Sequence, residues 1–129
     1  IFDGINGIGK SVSLIHLVNL LNEMNWITIY IPNSLFWIGG YWHYEESTEE
    51  KGMYNQYELA VNLLSSIYEL NSEKLKLIEL NEQLDKTLGS EESITNVAEL
   101  IEFAKREENL HASIVITERI FNCLLNQNQ

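Results

Sequence analysis

Apolar residues near the start of the chain follow two different spacings. From residue 10 to about residue 25 they surround a narrow polar stripe that recurs every three or four positions, which predicts a mostly buried helix. The next six residues, WITIYI at 26–31, are β-branched and aromatic and lie between Asn25 and Pro32, which predicts a strand. With residues 1–3 interpreted as the end of an earlier strand, the order is that of a βαβ unit and predicts a parallel sheet.

The rest of the chain predicts mostly helices. Residues 32–53 are aromatic and acidic and predict an irregular surface segment. Because one or two strands do not make a stable parallel sheet, the remaining strands are expected outside this sequence. We interpret the sequence as an internal piece of a longer protein. We therefore predict an α/β fold in which residues 1–129 form a single partial domain, divided into 1–31, 32–53 and a helical part, 54–129. Within residues 54–129, helical spacing predicts four helices, at about 55–70, 72–87, 93–107 and 110–125, and Gly89 is a plausible stop signal for the second.

Composition excludes several classes of protein. The 129 residues carry 19 acidic and 8 basic side chains, a net charge of −11, which disfavours broad binding to nucleic acid or to anionic lipid. The single cysteine, Cys123, excludes an internal disulfide. No apolar run approaches the roughly 20 residues of a membrane span.

A glycine-rich loop precedes the first helix. The stretch GINGIGKS, from Gly4 to Ser11, fits the phosphate-loop pattern G-x-x-x-x-G-K-[ST] at every fixed position. Gly4 and Gly9 allow backbone torsions that let successive N–H groups surround phosphate oxygens, and the following helix adds its positive N-terminus. Lys10 would then contact the β- and γ-phosphates, and the Ser11 hydroxyl would ligate Mg²⁺. The alternative is a glycine turn that only begins a helix.

An acidic residue to hold the magnesium ion is harder to find. The stretch SIVITE offers Glu118 at the end of a strand-like run, but apolar spacing through Leu125 favours a helix there. The chain has only two arginines, Arg106 and Arg119, which disfavours a kinase that transfers phosphate to a small molecule.

Four stretches together resemble the death-associated protein 3 family, the P-loop proteins of the mitochondrial small ribosomal subunit. The loop runs into a Ser-Leu-x-His helix at Ser13, Leu14 and His16, and the strand WITIYI runs into Pro32-Asn33 and then Phe36-Trp37. The other two stretches are YNQYELAVNLL and SIVITERIFNCLL, the second of which resembles the helix just ahead of the family's Walker B strand.

The resemblance implies an AAA+-like P-loop fragment, in the head of the small subunit in the mitochondrial matrix. It implies GTP or GDP, with ATP as the alternative, and Mg²⁺ at Ser11, and it puts Walker B beyond Gln129. We expect little or no hydrolysis. Other mitochondrial ribosomal proteins are the expected partners, with ribosomal RNA contacted mainly through other segments. The alternative function is a free P-loop NTPase that acts as a signalling or remodelling switch. The nucleotide-binding residues carried over are Gly4, Asn6, Gly7, Ile8, Gly9, Lys10, Ser11 and Val12.

Overall fold

The computed structural model describes residue 7 and residues 9–31, 33–39, 43–47, 51–80 and 94–126. These parts of the chain are mostly helical, with one sheet of two short strands. In chain order the elements are helix α1 (Lys10–Glu23), helix α2 (Ser34–Gly39), strand β1 (Glu45–Glu46), strand β2 (Tyr54–Asn55), helix α3 (Tyr57–Leu75), helix α4 (Val97–Ala104), a 3₁₀ helix (Glu107–Ala112) and helix α5 (Ser113–Asn126).

Helices α3, α4 and α5 form the hydrophobic core. Each buries the face on which its apolar residues recur at helical spacing, so the sequence pattern in this half of the chain predicts the buried face. Ile27 and Trp37, from outside the three helices, pack against this core partly buried. The side chains that are almost fully enclosed are Leu64, Ile67, Leu75, Val97, Leu100, Ile101, Ile116 and Ile120.

Two of the predicted helices have different limits. Residues 72–75 continue α3 rather than beginning a new helix, so the prediction of a separate helix from residue 72 is wrong at its start. The chain then leaves the helix, and Ile78 and Leu80 exchange backbone hydrogen bonds with Val97 and Thr95. The remainder of that prediction, residues 81–87, lies outside the described residues. At 110–125 the predicted helix is confirmed, since α5 begins at Ser113 after a 3₁₀ turn.

The start of α4 is fixed by its own side chains. The Asn96 side chain accepts a hydrogen bond from the Glu99 N–H at 3.0 Å, which caps the helix. The Glu99 carboxylate in turn accepts from the N–H and the hydroxyl of Thr95, at 2.7 and 2.9 Å. These bonds, the backbone one first, lower the pKa of Glu99 below its ordinary value. Capping explains why α4 starts at Val97 rather than near residue 93.

Helix α1 occupies the predicted residues but not the predicted environment. It ends where Asn25 takes a left-handed conformation (φ 62°), with the Asn25 N–H bonded to the Asn22 carbonyl and the Trp26 N–H to the Leu21 carbonyl. None of its 14 residues is buried. The prediction of a mostly buried helix is therefore wrong for the described structure, because no described sheet covers its apolar face.

Residues 26–31, called the extended segment below, belong to no helix or sheet among the described residues. The Asn71 side chain, from α3, bonds both backbone groups of Thr28: its Oδ1 accepts from the Thr28 N–H at 2.9 Å and its Nδ2 donates to the Thr28 carbonyl at 2.8 Å. An amide side chain thus takes the place that a neighbouring strand would have. The predicted strand at 26–31 is corrected to an extended segment that is tied to α3.

The one sheet among the described residues is antiparallel. Its first strand and helix α2 lie in residues 32–53, which were predicted to be irregular, and its second strand follows directly after that segment. Strands β1 and β2 pair Glu45 with Asn55 and Glu46 with Tyr54, and the Tyr44 and Tyr54 rings meet edge to face at 5.3 Å. The described ranges therefore hold no parallel pair of strands, contrary to the predicted βαβ unit. Residues 1–3, the predicted first strand, lie outside them.

Candidate functional site

The described glycines of the loop have a conformation that other residues avoid. Gly7 and Gly9 have φ angles of 85° and 89°, in the left-handed region. A Cβ atom built at either position would meet no atom within 4 Å. Torsion, rather than space, is therefore what favours glycine at these two positions.

The first turn of α1 presents backbone donors without a capping side chain. Gly9 is the N-cap, and the first bond within the helix runs from the Ser13 N–H to the Gly9 carbonyl at 3.0 Å. The N–H groups of Lys10, Ser11 and Val12 consequently have no acceptor within the helix. No acidic side chain lies in this turn. A helix N-terminus whose first N–H groups have no acceptor within the helix, and which carries a lysine, favours an anion.

The predicted site residues divide into two groups. Gly7, Gly9, Lys10, Ser11 and Val12 line one open cavity of about 340 Å³. These five residues have the donors, the hydroxyl and the cation that a nucleotide phosphate with Mg²⁺ requires. The other three predicted residues lie outside the described residues: Gly4, Asn6 and Ile8.

Glu118 is placed where the helical interpretation put it. It lies in α5 with its side chain exposed, so it does not follow a strand end. The structure therefore gives no support to Glu118 as a magnesium-binding acid of the Walker B kind.

Sequence reasoning missed Lys74, which contacts the opposite end of α1. Its Nζ donates to the Asn22 carbonyl at 3.0 Å and to the Trp26 carbonyl at 2.9 Å, and it also bonds the Asn22 side-chain oxygen. The residues that it joins are about 50 positions apart, 48 for Trp26 and 52 for Asn22. No local pattern could have revealed the contact. A lysine in the last turn of a helix is favourable for the helix dipole, so its presence there does not indicate a distant partner.

A second cavity lies beside the C-terminal end of α1. It has a volume of about 580 Å³ and is bordered by α5 and by the extended segment. Several of its side chains are apolar and largely exposed; Trp26, for example, keeps 60% of its surface accessible. Its lining residues include Met24, Trp26, Ile27, Ile29, Phe121 and Leu124.

One comparison with known proteins decides the family. The model of the family described as mitochondrial ribosomal death-associated protein 3 matches residues 1–129, the whole sequence. The chain belongs to the death-associated protein 3 family. Comparison with curated proteins and with solved structures gives no significant match.

Family membership places the protein in the mitochondrial matrix, as a mitochondrial ribosomal protein. Other ribosomal proteins and ribosomal RNA are the partners that such a protein has. Within the described ranges of this death-associated protein 3 family member, no helix is long and apolar enough to cross a membrane.

Proposed function

We propose that this death-associated protein 3 family member holds a guanine nucleotide in its glycine loop as a component of the head of the mitochondrial small ribosomal subunit. GTP or GDP is the expected ligand, with ATP as the alternative. Gly4, Gly9 and Lys10 would surround the phosphates, and the Ser11 hydroxyl would supply one ligand to Mg²⁺. The domain would then belong to a P-loop fold of the AAA+ type.

One observation carries the nucleotide proposal. Gly9 stands in the left-handed region immediately before a helix that begins at Lys10, and the motif GINGIGKS supplies the lysine and the serine at the required positions. The positive end of the helix dipole, the Lys10 charge and the lack of an acidic residue in the first turn of α1 all favour an anion over a cation. A turn that merely started a helix would not need this combination of side chains.

A structural role for the nucleotide agrees with the other observations. Glu118 lies exposed on a helix, so the described residues supply no Walker B acid from that stretch. A ligand that binds only the folded protein stabilises it by about 2.7 kcal/mol at 100 times its dissociation constant. The nucleotide can therefore strengthen the fold without turnover, and we expect little or no hydrolysis.

The charge and the exposed apolar surface support a place inside an assembly. The net charge of −11 favours contacts with protein neighbours in this part of the chain, and leaves ribosomal RNA mainly to other segments. Large apolar side chains that remain exposed on α1 and on residues 26–31 are typical of surfaces that are covered in a complex.

Titration of the purified protein with GTP and Mg²⁺ tests the site. Lys10→Ala is expected to weaken binding by about 1.5–3 kcal/mol, the value of a hydrogen bond to a charged group. The matched control is Lys51→Ala, which removes an exposed lysine from a turn and should leave affinity unchanged. Equal affinities of Lys10→Ala and the unmodified protein would refute nucleotide binding by this loop.

Sedimentation tests the ribosomal part of the proposal separately. We expect the protein to remain with the mitochondrial small subunit through a high-salt wash. Release into the soluble pool, together with GTP turnover that Lys10→Ala abolishes, would favour the alternative of a free NTPase switch.

A further inference from the structure

Lys74 joins the helical core to the end of α1 that lies opposite the glycine loop. It extends from the last turn of α3, is half-buried, and donates to two backbone carbonyls, those of Asn22 and Trp26. Its third partner is the side-chain oxygen of Asn22. One ammonium group therefore holds both the last turn of α1 and the first residue of the extended segment.

The structure of α1 explains why this contact matters. The helix has 14 residues, none of them buried, and it has neither a side-chain N-cap nor a basic residue of its own in the last turn. A helix of this length is marginal without tertiary support. A cation at the C-terminus and an anion at the N-terminus both stabilise a helix through its dipole. Lys74 supplies the first, from a different helix.

We propose that Lys74 is a positioning residue for the phosphate loop, acting through α1 from about 21 Å away, the length of 14 helical residues. By holding the C-terminal end of α1, Lys74 raises the fraction of molecules in which the helix is formed. In those molecules the N–H groups of the first turn are in position to bind phosphate. This inference rests on the proposed nucleotide binding. Since coupling between two sites is reciprocal, nucleotide at the loop should in turn stabilise the contact of Lys74 with Asn22.

Hydrogen exchange of the full chain, with and without GTP and Mg²⁺, tests the proposal. In Lys74→Met, without nucleotide, the amides of α1 should exchange about tenfold faster, the loss expected for one hydrogen bond to a charged group. The apparent affinity for GTP should fall roughly threefold, because a marginal helix loses much of its formed population. Saturating GTP should restore the protection of α1.

Two further variants separate positioning from a general loss of structure. Lys76→Met removes a nearby lysine that forms an exposed ion pair with Glu73 at 2.7 Å, and it should change neither α1 exchange nor GTP affinity. Lys74→Arg keeps the charge and the donors and should recover part of the protection. In every variant the amides in the middle of α3 should exchange as in the unmodified protein.

The outcomes distinguish this inference from the proposed function. Unchanged α1 exchange in Lys74→Met, or equal acceleration across α1 and α3, would overturn the positioning role. GTP affinity that is unchanged although α1 exchange is faster would overturn the coupling to the loop. If the unmodified protein binds no GTP, the proposed function fails instead, and the nucleotide-free samples alone decide whether Lys74 holds α1.

Discussion

The strongest test of the fold concerns Asn71, which holds the extended segment to α3. Only 2% of its surface is exposed, and its side chain makes three hydrogen bonds. Two are with the backbone of Thr28, and in the third Nδ2 donates to the Ile67 carbonyl at 2.8 Å. Asn71→Leu conserves the size of the side chain and removes every one of these bonds.

The expected cost follows from the backbone groups that lose their partner. The Thr28 N–H and carbonyl lie in a buried position, since Thr28 is only 7% exposed. Leaving a buried polar group without a partner costs about 1–3 kcal/mol. Part of this is offset by the apolar surface that leucine buries. We therefore expect Asn71→Leu to lower the free energy of unfolding by about 3 kcal/mol, a large share of the 5–15 kcal/mol typical of a domain.

Urea denaturation followed by circular dichroism measures this change, and hydrogen exchange of the Thr28 amide locates it. The matched control is Asn62→Leu in the same helix, because Asn62 is exposed and its Nδ2 donates to the carbonyl four residues earlier, that of Glu58. That variant should stay within about 0.5 kcal/mol of the unmodified protein. If Asn71→Leu did the same, the idea that this amide replaces a strand partner would be refuted.

Two further predictions concern single polar groups. The buried Thr28 hydroxyl has no hydrogen-bond partner among the described residues, so Thr28→Val, which keeps the shape, should raise the free energy of unfolding by about 1 kcal/mol in urea denaturation. Hydrogen bonds from Thr95 lower the folded-state pKa of Glu99. The Glu99 carboxylate therefore contributes stability above its unfolded-state pKa, and this contribution is lost as the pH falls through its folded-state pKa. The difference in urea midpoint between the unmodified protein and Glu99→Gln should therefore be largest near neutral pH and shrink as the pH falls through the folded-state pKa of Glu99; a difference that is independent of pH would contradict this.

Local sequence predicts helices well in this protein, and for a physical reason. Helical spacing and a glycine before Lys10 act within one or two turns of backbone. The cap formed by Asn96 and Glu99 acts over the same distance, but it was not used in the prediction, which began this helix near residue 93. The same reasoning favoured a helix over a strand at SIVITE, and α5 confirms it. It failed at residue 72, where no glycine or proline marks the end of α3 and the chain leaves the helix only after Leu75.

The surroundings of α1 and of residues 26–31 could not be predicted in the same way. The wide apolar surface of α1 shows that the helix prefers to be covered, but the pattern does not identify what covers it, and no residue of α1 is buried. Residues 26–31 have strand composition, yet whether they join a sheet depends on which partner is beside them. The spacing of side chains contains no information about that partner.

By itself the sequence determined the phosphate-loop pattern, the helix that follows it and the family to which the chain belongs. These depend on residue types at fixed short spacings, such as Gly9, Lys10 and Ser11. Only the tertiary structure decided that Asn71 takes the place of a strand and that Lys74 holds the opposite end of α1. Each of these contacts joins residues more than 40 positions apart, and such contacts form only when packing of α3, α4 and α5 has set the position of α3.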